Sequence, residues 1–464
     1  MQTECIADRF DFAPVEKRRV VSGFDGGTIT SDAGALLLGM TDRAIGLVGR
    51  FAGCFVDRRN AALIEHDVKT LVGQRVLALA LGYEDLNDHD ELRHDPVMAV
   101  LAGKLAARRH KKCAPVAGKS TLNRLELSRP EPTRYHKIGH EAAAVEALFV
   151  DLFLNAYAIP PEEIVLDLDA TLSLPKGDPL HGGQEGRFFH GYYGHYCYLP
   201  LYVFCGDHLL CAKLRPANID AAAGSVQEIE RIVGQVRQRW PKVRIVLRAD
   251  SGFARDELMA WCESNAVDYL FGLARNVRLV RHIGAELEEA RAESSLTSRP
   301  ARRFKDFTWT TRKSWSCWRR VVAKAEWTQG EANPRFVVTS LEAKAWGARS
   351  LYENLYCARG EMENRIKECQ LDLFADRTSA ATMRANQLRL WFASMAYVLV
   401  CALRRIGLAN TRLARASCAT IRLKLFKIGA LVRVSVRRIR LAMNSACPFQ
   451  REWALAYAKL AAAA

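Results

Sequence analysis

Apolar and polar positions change their rhythm several times along the chain. Up to about residue 158 the apolar residues recur mostly at helical spacing. A helix is predicted after Ser31-Asp32-Ala33-Gly34, with Ser31 or Asp32 as its cap, another over Val68–Leu81, and a third over 139–154. Between them lie the basic patch Arg108-Arg109-His110-Lys111-Lys112 and a polar, turn-rich stretch over 120–131. From 162 the pattern becomes strand-like. One apolar run ends at Asp169, and aromatic-rich strands follow over 192–204 and 208–214. Pro216 breaks the chain. Val226, Ile229, Ile232, Val233 and Val236 then form one stripe of a helix over 220–238. A strand over 245–249 delivers Asp250, and a helix over 254–264 and a strand over 269–273 complete this part. Short strands are predicted at 304–309, 318–323 and 335–339. Helices dominate after 347: one around Glu363, a long one over 380–405, and helix-like spacing in the tail to 464.

Three strands, then helix, strand, helix, strand, is the ribonuclease H-like order, a mixed sheet covered by helices. The expected fold class is therefore α/β, with a ribonuclease H-like mixed-sheet core, a β-rich insertion, and helical N- and C-terminal regions. The expected boundaries are a mostly helical DNA-binding or dimerisation region over 1–158 and a core over 159–280 and 350–400. The insertion subdomain spans 281–349 and the basic helical region 401–464.

Length and charge narrow the class. A chain of 464 residues that is 49% hydrophobic can build two to four cored domains. Its formal net charge of +16 suits a polyanionic partner; the bland alternative is basicity without function. The stretch 299–324 holds nine Lys or Arg residues against one acid, Asp306, with Trp309, Trp315, Trp318 and Trp327 in or near it. Basic side chains can meet phosphates while an indole stacks on a base, so Trp309, Trp315 and Trp318 are candidates for DNA base stacking. The competing reading puts these indoles in a small β core. The 13 cysteines form no CxxC pair and read as buried thiols. The opening Met1-Gln2-Thr3-Glu4-Cys5 is no secretory leader, and the 14 apolar-rich residues 390–403 are short for a membrane span. A cytoplasmic setting with no membrane partner is expected.

Three acids carry the candidate chemistry. Asp169 and Asp250 each end an apolar strand, and those strands are neighbours in the order above, so both carboxylates reach one rim of the sheet. On the helix Glu361, Glu363 and Glu368 compete, and Glu363 shares a face with Tyr356, Arg359 and Lys367. Carboxylate oxygens select Mg²⁺, with Mn²⁺ as substitute, and two such ions serve phosphodiester chemistry. Asp167 has the same strand parity as Asp169 but lies further from the rim, where it would support the site. Arg359 could hold a phosphate bidentately. Arg187 and Arg248 are further candidates for supporting or phosphate-binding roles. His181, His190 and His195 cluster with glycines but lack a zinc-site spacing.

These segments resemble bacterial insertion-sequence transposases of the Asp-Asp-Glu class: LDLDAT (166–171), DPLHGGQEGRFFHGYYGHYCYLPLYVF (178–204), LRPANIDAAAG (214–224), RADSGFARDELMAWCE (248–263), VDYLFGLARN (267–276), YCARGEMENRIKECQLDLFADRTS (356–379) and FDGGTITSDAGALLL (24–38). The resemblance covers nearly the whole chain. It implies a two-metal strand-transfer enzyme that binds terminal inverted repeats of double-stranded DNA and works as a homodimer. It also implies a β-rich insertion before the last acid. Carried over by motif, the catalytic and metal-binding acids are Asp169, Asp250 and Glu363, with Tyr356 and Arg359 beside them. The family's lysine, seven residues beyond the glutamate, is replaced by Gln370, and Lys367 offers a nearby cation. Leu172 through Gly177 intervene where the family usually passes quickly to an Asp-Pro-Leu-His-Gly stretch. Two rivals remain: a nuclease of the same fold that never joins DNA, and a catalytically silent DNA-binding derivative.

Overall fold

A computed structural model describes residues 9–107, 113–173, 183–328 and 330–463. The basic patch at 108–112, His181 and most of the 172–177 departure lie outside the described residues. The chain divides into two compact units: Met1–Ala52, Arg59–Leu125 and Ala402–Ala464 form one, Gly53–Arg58 and Glu126–Cys401 the other.

The second unit is built on a nine-stranded mixed sheet. Its elements, in chain order, are helix α1 (Ala142–Asn155), strand β1 (Glu163–Ala170), a hairpin of β2 (Phe188–His190) and β3 (His195–Cys197), and strands β4 (Leu201–Cys205) and β5 (His208–Lys213). Helix α2 (Ser225–Arg239), strand β6 (Arg244–Ala249), helix α3 (Asp256–Ser264) and strand β7 (Asp268–Leu273) follow. Helices α4 (Val277–His282) and α5 (Gly284–Thr297) lead to β8 (Ala301–Trp309), β9 (Arg319–Thr328), β10 (Glu331–Ala332) and β11 (Arg335–Thr339). Helices α6 (Gly360–Lys367) and α7 (Met383–Ile406) come last. The strand order is β5-β4-β1-β6-β7-β11-β9-β8, with β10 on β9; β6 lies parallel to both β1 and β7.

The apolar runs explain the layering. Strands β4 and β6 are buried almost throughout, as strands covered on both faces must be. The stripe on α2 (Ile229, Ile232, Val233, Val236) packs into one core with Leu166, Leu168, Ile245 and Leu247. Helix α7 carries the apolar 390–403 run. It is long and apolar enough to cross a membrane by composition, but 83% of its most apolar window is buried within the protein.

Three expectations for this unit need correction. The β-rich stretch does not stand apart: β11 pairs with β7, so β8–β11 extend the core sheet. Short strands with apolar residues on both faces need partners, and the open edge of β7 supplies them. The single strand expected over 192–204 is broken at Gly194, whose φ of +67° closes the turn of the β2–β3 hairpin. Residues 126–158 belong with the core rather than the N-terminal region, because α1 packs on β5 and α2.

His140 gives the core unit an acid sensitivity. It lies buried on the short strand Ile138–His140, its Nδ1 2.7 Å from Ser128 Oγ, its ring edge-on to Trp391. Burial first, and the nearby Arg384 charge second, lower its pKa from 6.5 to about 3. The unfolded chain takes up a proton below 6.5 that the folded one refuses until about 3. Stability is therefore intact above pH 6.5 and falls as pH drops towards 3. At pH 5.5 the expected loss is about 1.4 kcal/mol. Urea midpoints at pH 7.5 and 5.5 check this, and His140→Gln should flatten that part of the profile.

The other unit joins the two ends of the chain. The buried helix Val68–Leu81 is capped by Asp67, whose Oδ1 accepts from Thr70 N at 2.8 Å, and ends on Gly82 at φ +95°. Arg422 donates to the carbonyls of Leu79 and Ala80 at that end. Asp32 is not the side-chain cap expected: its buried carboxylate takes the Tyr83 hydroxyl at 2.6 Å and the Lys427 ammonium at 2.7 Å. The tail is not wholly helical either. Residues Ala430–Val434 and Ile439–Met443 form a hairpin that pairs with Ile29–Thr30. Its Val432-Arg433-Val434-Ser435-Val436 alternation has the two-residue period of a strand.

Candidate active site

The parallel register of β1 and β6 places the two aspartates. Leu168 pairs with Ala249, so Asp169 and Asp250 are the next residues on adjacent strands at the same edge of the sheet. Asp250 also begins a tight turn, its Oδ1 accepting from Gly252 N at 2.8 Å. Glu363 lies in the first turn of α6. The segment leading to it is less regular than expected: a π-helical stretch, Leu351–Tyr356, and a 3₁₀ turn, Cys357–Arg359, precede α6.

Arg359 links the strands to the helix. Its guanidinium reaches Asp169 Oδ2 at 3.3 Å and Glu363 Oε1 at 2.9 Å. Burial raises the Asp169 pKa to about 6; Arg359 works against that rise, while Asp250 and Glu363 add to it. Three acids and one cation therefore share a single electrostatic neighbourhood. Among the described residues, no three His, Cys, Asp or Glu side chains are gathered closely enough to ligate one metal ion as placed. The arginine provides the positive charge between Asp169 and Glu363.

Tyr356 packs into the same corner. A Cβ on Gly272 of β7 would come within 2.6 Å of the Tyr356 hydroxyl oxygen and 2.9 Å of Ser251 N. Only glycine there lets the ring lie against the turn that carries Asp250. Burial raises the Tyr356 pKa, with Arg359 opposing and Asp250 contributing. No feature of the sequence singled out Gly272, since a glycine inside a strand has many causes.

Asp167 and Arg248, opposite each other in the β1–β6 register, form a buried pair. Arg248 Nε donates to Oδ1 at 2.5 Å and Nη2 to Oδ2 at 2.8 Å, and Nη1 donates to the Leu355 carbonyl. Burial pushes the Asp167 carboxyl up, and Arg248 pulls it back. This guanidinium is engaged on every side, so it ties β6 to the segment before Glu363 and does not face a phosphate. Lys367 is exposed on α6. Gln370 donates to the Leu172 carbonyl at 3.0 Å, at the start of the 172–177 departure. Arg187 donates to Gln184 Oε1 and the Tyr196 carbonyl at the base of the β2–β3 hairpin.

The three tryptophans separate. Trp309 and Trp315 are partly buried against the core, with Arg278 and Arg319 over their rings at 4.8 and 5.7 Å. Trp318 is 68% exposed.

Carboxylates delivered by two parallel strands and by a helix beyond further strands of the same sheet are what a polynucleotidyl transferase needs around a scissile phosphate. The family model described as "Transposase DDE domain group 1" matches residues 12–464, and the chain belongs to that family. A search of curated proteins finds no match.

Proposed function

We propose that the chain is an insertion-sequence transposase that binds terminal inverted repeats and catalyses metal-dependent DNA cleavage and strand transfer. The adjacency of Asp169 and Asp250, joined to Glu363 through Arg359, carries this reading. The β5-β4-β1-β6-β7 order, with β6 parallel to its neighbours, supports a ribonuclease H-like core.

The acids fit a divalent cation chemically. They are hard oxygen donors, and their mutual repulsion is relieved here by a guanidinium that a metal charge could replace. Asp169, Asp250 and Glu363 would hold the metal. When bound, a pair of Mg²⁺ ions, or Mn²⁺ in their place, supplies activation of the attacking oxygen and neutralisation of the leaving one. Arg359, released from Asp169, can clamp a phosphate bidentately, and Tyr356 holds the Asp250 turn against β7. Lys367 and Arg187 supply further positive charge near the proposed DNA path, whereas Arg302, Arg303, Lys305, Arg319, Arg320 and Lys324 of β8 and β9 are each ion-paired to an acid of the same unit. Trp318 remains the open indole of the three for base stacking. A homodimer on paired ends of double-stranded DNA, in the bacterial cytoplasm at the nucleoid, fits this activity.

Incubating the chain with the ends of its own element and Mg²⁺, then mapping products, tests the proposal. Joined products are expected; cleavage without joining would identify a nuclease, and neither would identify a silent DNA-binding protein. Binding to end DNA should also weaken steeply with salt. The slope of log affinity against log salt should be about −0.9 per phosphate neutralised. A flat response in an anisotropy titration would remove the broad phosphate interface.

A further inference from the structure

We infer that the β2–β3 hairpin is a stacking platform for unpaired DNA bases beside the scissile phosphate. This rests on the transposase reading for the identity of the polymer, and on the hairpin's own chemistry for the site. Phe189 and Tyr196 stand directly opposite each other in the ladder, ring centroids 5.5 Å apart, and are 54% and 58% exposed. Tyr192, at the tip, is 86% exposed and meets Tyr193 edge-on at 5.0 Å. Phe188, 42% exposed, lies on the ribbon's other face opposite the buried Cys197 and is no part of this surface. An isolated two-stranded ribbon is marginal in water, and one that carries this many open rings has a face built for an apolar, flat partner.

The ribbon is firmly rooted. Gln184 donates to the carbonyls of Thr378 and Ala380, and the Glu185 carboxylate accepts from Met383 N at the start of α7. Gly186, at φ +78°, lies so close to Met383 that a Cβ would fall 2.2 Å from its sulfur. Cys197 at the end of β3 is buried against Leu199 and Ala217, with Tyr193 packed on them. Ala170, the residue after Asp169 on β1, packs on the same cluster, so the turn of the hairpin and the Asp169 end of β1 share one small core. Tyr192, edge-on to Tyr193, thus extends from the cluster that holds the Asp169 end of β1. Bases offer flat faces to aromatic rings whatever their identity, and a base must leave its stack for strands to separate at a cleavage point. Arg187 at the base of the ribbon and the net charge of +16 match the adjoining phosphates.

The test uses the full chain in EDTA, so that binding is read without cleavage. The probes are a fluorescein-labelled duplex with a short unpaired arm carrying 2-aminopurine, and the fully paired duplex of the same length. Wild type should bind the forked probe more tightly and change its 2-aminopurine emission. Phe189→Ala/Tyr196→Ala and Tyr192→Ala should keep the thermal midpoint. Each should lose about tenfold in affinity for the forked probe and less than twofold for the paired one; Tyr192→Trp should restore binding. Equal wild-type affinity for the two probes, or equal loss on both, would overturn the platform. Dissociation of a dimer on substitution, seen by sedimentation, would also overturn it and assign the face to a second copy. Asp250→Asn should give the same fork preference as wild type. If Mg²⁺ assays show no cleavage or joining while fork preference holds, the transposase reading fails and the platform stands.

Discussion

Asp250→Asn is expected to reduce end cleavage by about a thousandfold while leaving the fold and DNA binding nearly unchanged. The substitution separates two tasks of one side chain. The Asp250 Oδ1 accepts from Gly252 N and fixes the turn after β6. Asparagine keeps that oxygen, so the turn survives; alanine would remove it and cost about 1 kcal/mol as well. What asparagine removes is the negative charge that the proposed metal centre requires, a loss of several kcal/mol in the transition state at about 1.4 kcal/mol per decade. Affinity for DNA ends is spread over many phosphate contacts and should change less than threefold. Asp169→Asn and Glu363→Gln should behave alike. The measurements are single-turnover cleavage, anisotropy and a thermal melt for each variant. Near-normal cleavage by any one would remove it from the site.

Arg248→Met is expected to destabilise the core unit by about 3–5 kcal/mol, the largest effect on folding anticipated for a single side chain here. Asp167 and Arg248 are both buried, and the guanidinium answers both carboxylate oxygens and the Leu355 carbonyl. Removing it leaves a carboxylate in a low-dielectric interior, where it must take up a proton or draw in water. The double variant Asp167→Leu/Arg248→Met should recover most of the loss, because an apolar pair of similar volume has no desolvation cost. Urea titrations of the four proteins in this cycle give the coupling directly. If the single variant is as stable as wild type, the pair is not the clamp between β6 and the segment before Glu363. Recovery of stability without recovery of cleavage in the double variant would show that the pair also sets the position of that segment.

The two strand-end acids were legible in the sequence because an apolar run that stops at a carboxylate marks where a buried strand reaches the rim. Glu363 was singled out by the resemblance and its helical neighbours, and the structure adds its contact with Arg359. Parity could not separate Asp167 from Asp169; the cross-strand partner does, since Arg248 stands opposite Asp167 in the register. The link from Arg359 to Asp169 depends on segments far apart in sequence, so spacing reveals only its Glu363 half. The tryptophans near the basic stretch could not be sorted by composition. Arginines over Trp309 and Trp315 cover what a sequence shows only as aromatic and basic residues in proximity. The aromatic hairpin was hidden for a different reason. Phe188 through Phe204 reads as one apolar, aromatic stretch unless the two glycines flanking Tyr192-Tyr193 are given the weight of a turn. In the tail, many arginines drew attention to charge and away from the two-residue alternation at 430–441.

The pairing of Ile29–Thr30 with Ala430–Val434 imposes an order on biosynthesis. A Cβ on Gly34 would overlap the Leu425 backbone carbonyl at 1.7 Å, so the N-terminal turn is shaped to a surface made hundreds of residues later. Residues 126–401 can complete their sheet while residues 430–434 are still being translated; Ile29–Thr30 must wait for that strand. A frameshift or stop codon after α7 would therefore release a chain with its nine-stranded sheet intact and Ile29–Thr30 still without a strand to pair with.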